Sequence, residues 1–210
     1  MPAVLIGGLA AMISGCTTPV APEEIQLHTV SSESVGPVTL AAGAGVPITF
    51  QLAVEEHLDR PELAVRSGAQ IQYSERNQWA EPLEDGLGRL LRTRLAATPG
   101  VSRIVASGGA PGSPPRVAVT VVVDRFEGDV SLGGPGRAVV DAGWRIAPYG
   151  QPSASALASG IYVREAEGWD GRDYERLKIM LTELADDLAD AVATSVSENI
   201  AGMGGSKVFP

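Results

Sequence analysis

Cysteine is almost missing: the 210 residues hold one, Cys16. A single thiol closes no disulfide within the chain and builds no cysteine-based zinc cluster. Histidine is scarce as well, limited to His28 and His57. Transition-metal sites usually draw three or four such ligands, so neither a metal nor a cofactor is expected. Glu55 and Glu56 beside His57 do not make up the shortfall. Basic residues never run together, and Lys+Arg number 16 against 25 Asp+Glu, a formal charge of -9. Binding to nucleic acid needs clustered Lys and Arg, so a nucleic-acid partner is excluded. Electrostatic attraction to anionic lipid heads is excluded on the same ground. A nucleophile elbow of the Gly-x-Ser-x-Gly kind is missing, and His57 has no evident nucleophile beside it. Asp186 and Asp187 are helical neighbours that cannot face each other. No catalytic residue is therefore assigned, and the chain is not expected to be an enzyme. The glycine runs at 108–112 and 204–207 do not open helices, so neither can cradle a phosphate.

Long apolar runs are also lacking. Residues 3–12 form one about the length of a signal-peptide core, and a permanent bilayer span needs about 20. The run ends in Ile13-Ser14-Gly15-Cys16, which resembles the bacterial lipobox. That motif implies a diacylglycerol on the Cys16 thiol, cleavage before it, and a further acyl chain such as palmitate on the freed amine. Several chains on one residue give stable anchoring, where one is marginal. The alternative is a buried cysteine in an N-terminal apolar strand. No Lys or Arg precedes the run, which reads as a start assigned too far downstream. Thr17 is not the aspartate that retains enteric lipoproteins at the inner membrane, so an outer-membrane, periplasm-facing address is favoured. The expected organisation is a lipoprotein signal peptide at 1–15, a flexible tether at 16–33 with His28 solvated, one domain at 34–201, and a disordered tail at 202–210.

Within the domain, residues 34–40 and 48–54 read as strand pieces. Residues 58–66 and the stretch through Ile71 and Tyr73 read as a hairpin turning at Ser67-Gly68. A polar link, 74–78, leads to a helix with Pro82 at its first position and Leu83, Leu87, Leu90 and Leu91 at helical spacing. Pro99 ends it. A short strand at 101–106 precedes a loop at 107–115. The β-branched run at 117–123 is the strongest strand signal, and strands at 138–146 and 157–164 complete a meander, with Asp124 and Asp129 at a solvated strand end. Residues 173–200 form a long helix, with Asp173 as N-cap and the stripe Leu177, Leu181, Leu184, Leu188, Val192, Val196 and Ile200. The fold class is α+β: a two-layer sandwich of about six mostly antiparallel strands with two helices on one face.

One stretch carries a family likeness. Leu58-Asp59-Arg60-Pro61-Glu62-Leu63-Ala64-Val65-Arg66, followed by Trp79-Ala80-Glu81-Pro82-Leu83 before a leucine-rich helix, resembles the PqiC-type (YmbA-type) ABC-transport auxiliary lipoproteins. The likeness runs over residues 35–196, through Val35-Gly36-Pro37-Val38, Asp124-Arg125-Phe126-Glu127-Gly128-Asp129 and Trp144-Arg145-Ile146. The glycine-rich stretch 43–54 departs from it. The resemblance implies an α/β sandwich that assembles into rings. It also implies a membrane-anchored accessory of an intermembrane lipid transporter, docked as adaptor or cap on an MCE-domain protein. The alternative is a stand-alone envelope lipoprotein that binds lipid or assists outer-membrane assembly. Arg60, Arg66, Trp79 and Glu81 are the candidate partner-binding residues, with Trp169, expected in an exposed loop, beside them.

Overall fold

Pairing between distant segments organises the sheet in the computed structural model, which describes residues 24–30, 45–105, 114–130, 135–151, 155–201 and 203. Eight strands form it: β1 (Gln26–His28), β2 (Val46–Val54), β3 (Glu62–Ser67), β4 (Gln70–Trp79), β5 (Val101–Val105), β6 (Val117–Asp129), β7 (Gly136–Pro148) and β8 (Ala158–Trp169). The helices are α1 (Leu83–Ala96) and α2 (Tyr174–Ile200).

The β-branched strand β6 is the spine. Along one edge it pairs antiparallel with β7, which in turn carries β8. Its other edge is shared. The first half takes β2 in parallel, from Ile48 opposite Val117 to Val54 opposite Val123. The second half takes β3, also parallel, with Arg66 opposite Asp129. Beyond these lie β5 next to β2, and β4 then β1 next to β3.

The sheet is therefore larger and more mixed than the six mostly antiparallel strands expected. Four pairings are parallel: β1 with β4, β2 with β5, β2 with β6 and β3 with β6. Periodicity marks a strand and its faces, but it does not name the partner. A strand paired across a long intervening segment looks in sequence like one paired in a hairpin.

Both helices cover one face. In α1, Leu83, Leu87, Leu90, Leu91 and Leu95 are buried. All seven residues of the stripe expected in α2 are buried as well. These helices share one core with Val117, Val119, Val121 and Val123. Arg94 of α1 ties them at the rim, 3.0 Å from Asp190 and 3.4 Å from Asp186. Asp173 caps α2 as expected, its carboxylate accepting from the Arg176 N–H at 3.0 Å. Pro82 caps α1 from just outside, with ψ 136, rather than serving as its first helical residue. Its carbonyl accepts from the Asp85 and Gly86 N–H groups at 3.0 and 3.1 Å. Among the described residues no helix is long and apolar enough to cross a membrane.

Two further segments differ from expectation. Residues 74–78, read as a polar link, are strand, so β4 runs unbroken to Trp79. That extension leaves an edge, and part of the expected tether fills it: Gln26, Leu27 and His28 pair with Asn77, Gln78 and Trp79. His28 is buried rather than solvated. Its Nδ1 lies 3.1 Å from a Glu175 carboxylate oxygen and its Nε2 lies 3.3 Å from the Asn77 side-chain oxygen. Val30 is buried against Gly86 of α1. The signal peptide, Cys16, the expected strand at 34–40 and tail residues 204–210 lie outside the described residues.

Candidate functional site

The backbone draws the two halves of the family-like motif together. After β2 comes a single 3-10 turn, Glu56–Leu58, with Leu58 in the core. The chain then turns through Asp59, Arg60 and Pro61 into β3. The hairpin returns β4 alongside, so the Trp79 N–H donates to the Pro61 carbonyl at 2.6 Å. One residue later the Ala80 N–H donates to the His28 carbonyl at 2.5 Å. Trp79 is thus held by backbone from both sides. Its indole is buried and packs on Phe126 with ring centroids 5.7 Å apart.

The resulting groove, of about 250 Å³, is lined by Asp59, Arg60, Pro61, Trp79, Ala80, Glu81 and Pro82. Its floor is apolar and its rim charged. Asp59 and Arg60 are the wall between this groove and a broader polar bowl, about 690 Å³, lined by Glu55, Glu56, His57, Asp59, Arg60 and Tyr73. The Arg60 guanidinium stands 4.3 Å above the Tyr73 ring, a cation–π contact. The Tyr73 hydroxyl in turn donates to the His57 carbonyl at 3.1 Å. On the far rim Arg89 of α1 grips Glu81 with both guanidinium branches, one bond at 2.6 Å. That hydrogen bonding holds the Glu81 carboxyl below its ordinary pKa range.

Of the residues singled out from sequence, Arg60, Trp79 and Glu81 therefore meet in one place. Arg66 does not line the groove. It belongs to a charged network on the sheet face away from the helices. A bulge builds this network: the β6–β7 register slips between Val123 and Arg125, leaving Asp124 as the extra residue. Phe126 thereby takes the helix face, and Arg125, Glu127 and Asp129 take the other. Glu127 is fully buried. It accepts from Arg66 Nε at 2.5 Å and Nη2 at 3.2 Å, and from Arg125 Nε at 2.7 Å. His57 Nε2 is 3.7 Å from its other oxygen. Asp129 accepts from Arg125 at 2.9 Å and lies 3.5 Å from Arg137, which reaches Glu165 at 2.9 Å. Burial opposes the charge on Arg125, yet its bonds to Glu127 and Asp129 outweigh that and raise its pKa. Asp129 is buried in this network, not at a solvated strand end. The signal for it was readable: charges at 125, 127 and 129 alternate, which in a strand puts them on one face.

Trp169 is elsewhere and is not exposed. It ends β8 at 1% relative exposure. Its ring lies over Gly128 and Gly136, and its Nε1–H donates to the Asp173 carbonyl at 2.8 Å. The loop expected there is strand because β7 keeps pairing with β8 as far as Gly136 opposite Trp169. Cys16 lies outside the described residues. Among the described residues, no group of three or more His, Cys, Asp or Glu is placed to hold a metal ion. What the site offers is a shallow surface with an apolar floor and a charged rim.

Comparison with known proteins places the fold. A crystal structure of protein XCC0632 from Xanthomonas campestris superposes with a TM-score of 0.67 at 13% identity, covering 87% of this chain and 99% of that one. A second crystal structure, of an uncharacterized protein, gives a TM-score of 0.57 at 18% identity, covering 83% and 100%. PelC from Paraburkholderia phytofirmans, solved as a dodecamer, is more distant, with a TM-score of 0.39 at 14% identity over 74% and 92%. No curated protein matches the chain. The ABC-type transport auxiliary lipoprotein component family matches residues 50–193, which include the groove, the charged network and most of both layers. With most of its length matched, this chain belongs to the ABC-type transport auxiliary lipoprotein component family.

Proposed function

We propose that this lipoprotein is a non-catalytic adaptor or cap, held at the outer membrane through acylated Cys16, that docks on the MCE-domain protein of an intermembrane lipid transporter. The observation that carries this reading is the groove itself. The family-like motif, split in sequence, converges there on one surface, with Pro61, Trp79 and Pro82 below and Asp59, Arg60 and Glu81 around the rim. An apolar centre with a polar border is how protein interfaces are built. The neighbouring charges are held in ion pairs, Arg66 and Arg125 on Glu127 and Arg125 on Asp129, which fixes the face beside the groove.

Self-assembly into a ring fits the same reading. Strand β8 pairs only with β7 among the described strands, and it carries Ile161 at 80% and Val163 at 49% exposure. A long unpaired edge with exposed aliphatics at one end invites a covering partner, and head-to-tail contacts between copies close into rings.

The test is photo-crosslinking in intact envelopes with a reactive side chain at Ala80 or at Arg60, followed by mass spectrometry. Capture of an MCE-domain protein from these positions, and not from Ser195 on α2, is the expected result. Crosslinks to soluble periplasmic proteins alone, or to lipid without an MCE partner, would favour the stand-alone lipoprotein instead.

A further inference from the structure

Strand β1 and the residue before it leave two aliphatic side chains in solvent: Leu27 is 65% exposed and Ile25 54%. They alternate with the buried His28 and Val30, so they lie on the strand's other side, at the border of the face not covered by helices. From this edge the chain departs at Glu24, eight residues after Cys16. Such a length reaches about 28 Å fully extended and about 16 Å as a relaxed coil. Across the sheet in the order β1, β4, β3, β6, β7, β8, the far edge is about 24 Å further off. An acyl anchor at Cys16 therefore brings β1 to the bilayer first, and at the relaxed length leaves β8 out of reach, since only a nearly fully extended link would span the extra distance.

Charge gives no help. The depression beside β1 is lined by Glu24, Arg76, Arg172, Asp173 and Glu175, signs that largely offset, and the whole chain carries -9. Attraction to lipid at this edge must be apolar, and so indifferent to the headgroup's sign.

We propose that Ile25 and Leu27 rest in the interfacial layer of the bilayer that holds acylated Cys16, so that the β1 edge of the domain faces the membrane. This rests on the lipoprotein reading above and adds an orientation to it. Because acylation blocks Cys16, an introduced cysteine is the only free thiol of the mature protein. Leu27→Cys and Ile161→Cys forms, purified acylated, are labelled with a polarity-sensitive dye. They are placed in vesicles of phosphatidylcholine, and in vesicles of phosphatidylethanolamine with phosphatidylglycerol. The dye at position 27 should shift to the blue and be quenched by spin-labelled lipid equally in both vesicles, and the dye at 161 should not be quenched. Adding Leu27→Glu to an Ile25→Cys form should reduce quenching at 25 severalfold.

With acylation of Cys16 established by mass spectrometry, an unquenched dye at 27, or equal quenching at 27 and 161, overturns the orientation alone. A blue shift at 27 that grows with protein concentration and ignores the lipid quencher assigns the edge to a second copy and also overturns it. An unacylated Cys16 overturns the lipoprotein reading beneath it.

Discussion

Replacing Gly128 with alanine puts the packing at the end of β6 to the test. A methyl group there would sit 2.5 Å from Trp169 Cζ3, 2.9 Å from its Cη2 and 3.0 Å from Leu177 Cδ2. Those distances are well inside contact, so something has to move. Trp169 has little room to do so. The same ring also lies over Gly136, its Nε1–H is bonded to Asp173 at the start of α2, and Tyr174 stands edge-on at 5.8 Å. Overpacking in a filled core costs about 1–3 kcal/mol, and a site boxed in on every side belongs near 3. With a urea slope of about 2 kcal/mol/M, the unfolding midpoint should fall by about 1.5 M. Gly143→Ala is the internal control: its methyl would meet only the Gly160 carbonyl oxygen, at 3.8 Å, so a change under about 0.5 kcal/mol is expected. A Trp169→Leu background completes the cycle. There the added methyl has space, and Gly128→Ala should cost less than about 1 kcal/mol. If the Gly128→Ala midpoint stays within about 0.3 M of the parent, or its cost is the same in both backgrounds, the argument that glycine is required beneath that indole is wrong.

Three further outcomes follow from the same geometry. Arg66→Ala removes the forked partner of the fully buried Glu127 and should cost about 3 kcal/mol in the same unfolding assay, because a buried carboxylate short of partners is expensive. A loss under about 1 kcal/mol would mean that Arg125 alone suffices. Arg60→Ala, with its side chain half exposed on the groove wall, should leave stability within about 0.5 kcal/mol yet weaken partner binding by about 2 kcal/mol, about 30-fold, measured with purified partner. Burial, and then the charge of Asp187, push the Tyr162 phenol up to about 12. Its contribution to stability is full while the unfolded phenol is also protonated, below about pH 10, and declines as pH rises through 10 to 12. Phenolate absorbance should show one of the four tyrosines ionising late, and ionisation of all four near pH 10 would refute it.

Some of this was legible in the residues. The α2 stripe, the Asp173 cap, the β6 run and the turn between β3 and β4 all follow from local rules; the convergence of Arg60, Trp79 and Glu81 does not, because it needs β4 to run on through residues 74–78. Spacing, capping chemistry and turn length act over a few residues, so a single sequence carries them. Parallel pairing of β2 with β6, and the seating of β1 against β4, depend on surfaces that exist only once the chain is folded. His28 shows the limit well. Polar neighbours and prolines before it point to a solvated tether, and only the unbroken β4 edge explains its burial. Trp169 shows another. A Gly-Trp-Asp-Gly stretch looks like a loop, but the glycines that seat the indole, Gly128 and Gly136, come from other strands. The charged network was visible as an alternation at 125, 127 and 129, and the bulge at Asp124 that aims it was not.

The short strand beside Trp79 also has a mechanical meaning. β1 runs parallel to β4, and its last carbonyl is bonded to Ala80 in the groove. Tension arriving from residues before Glu24 along that strand loads its ladder bonds together instead of peeling them one by one. The force then passes straight into the turn at 79–82. The groove wall is thus the first part of the domain to take up a pull on β1.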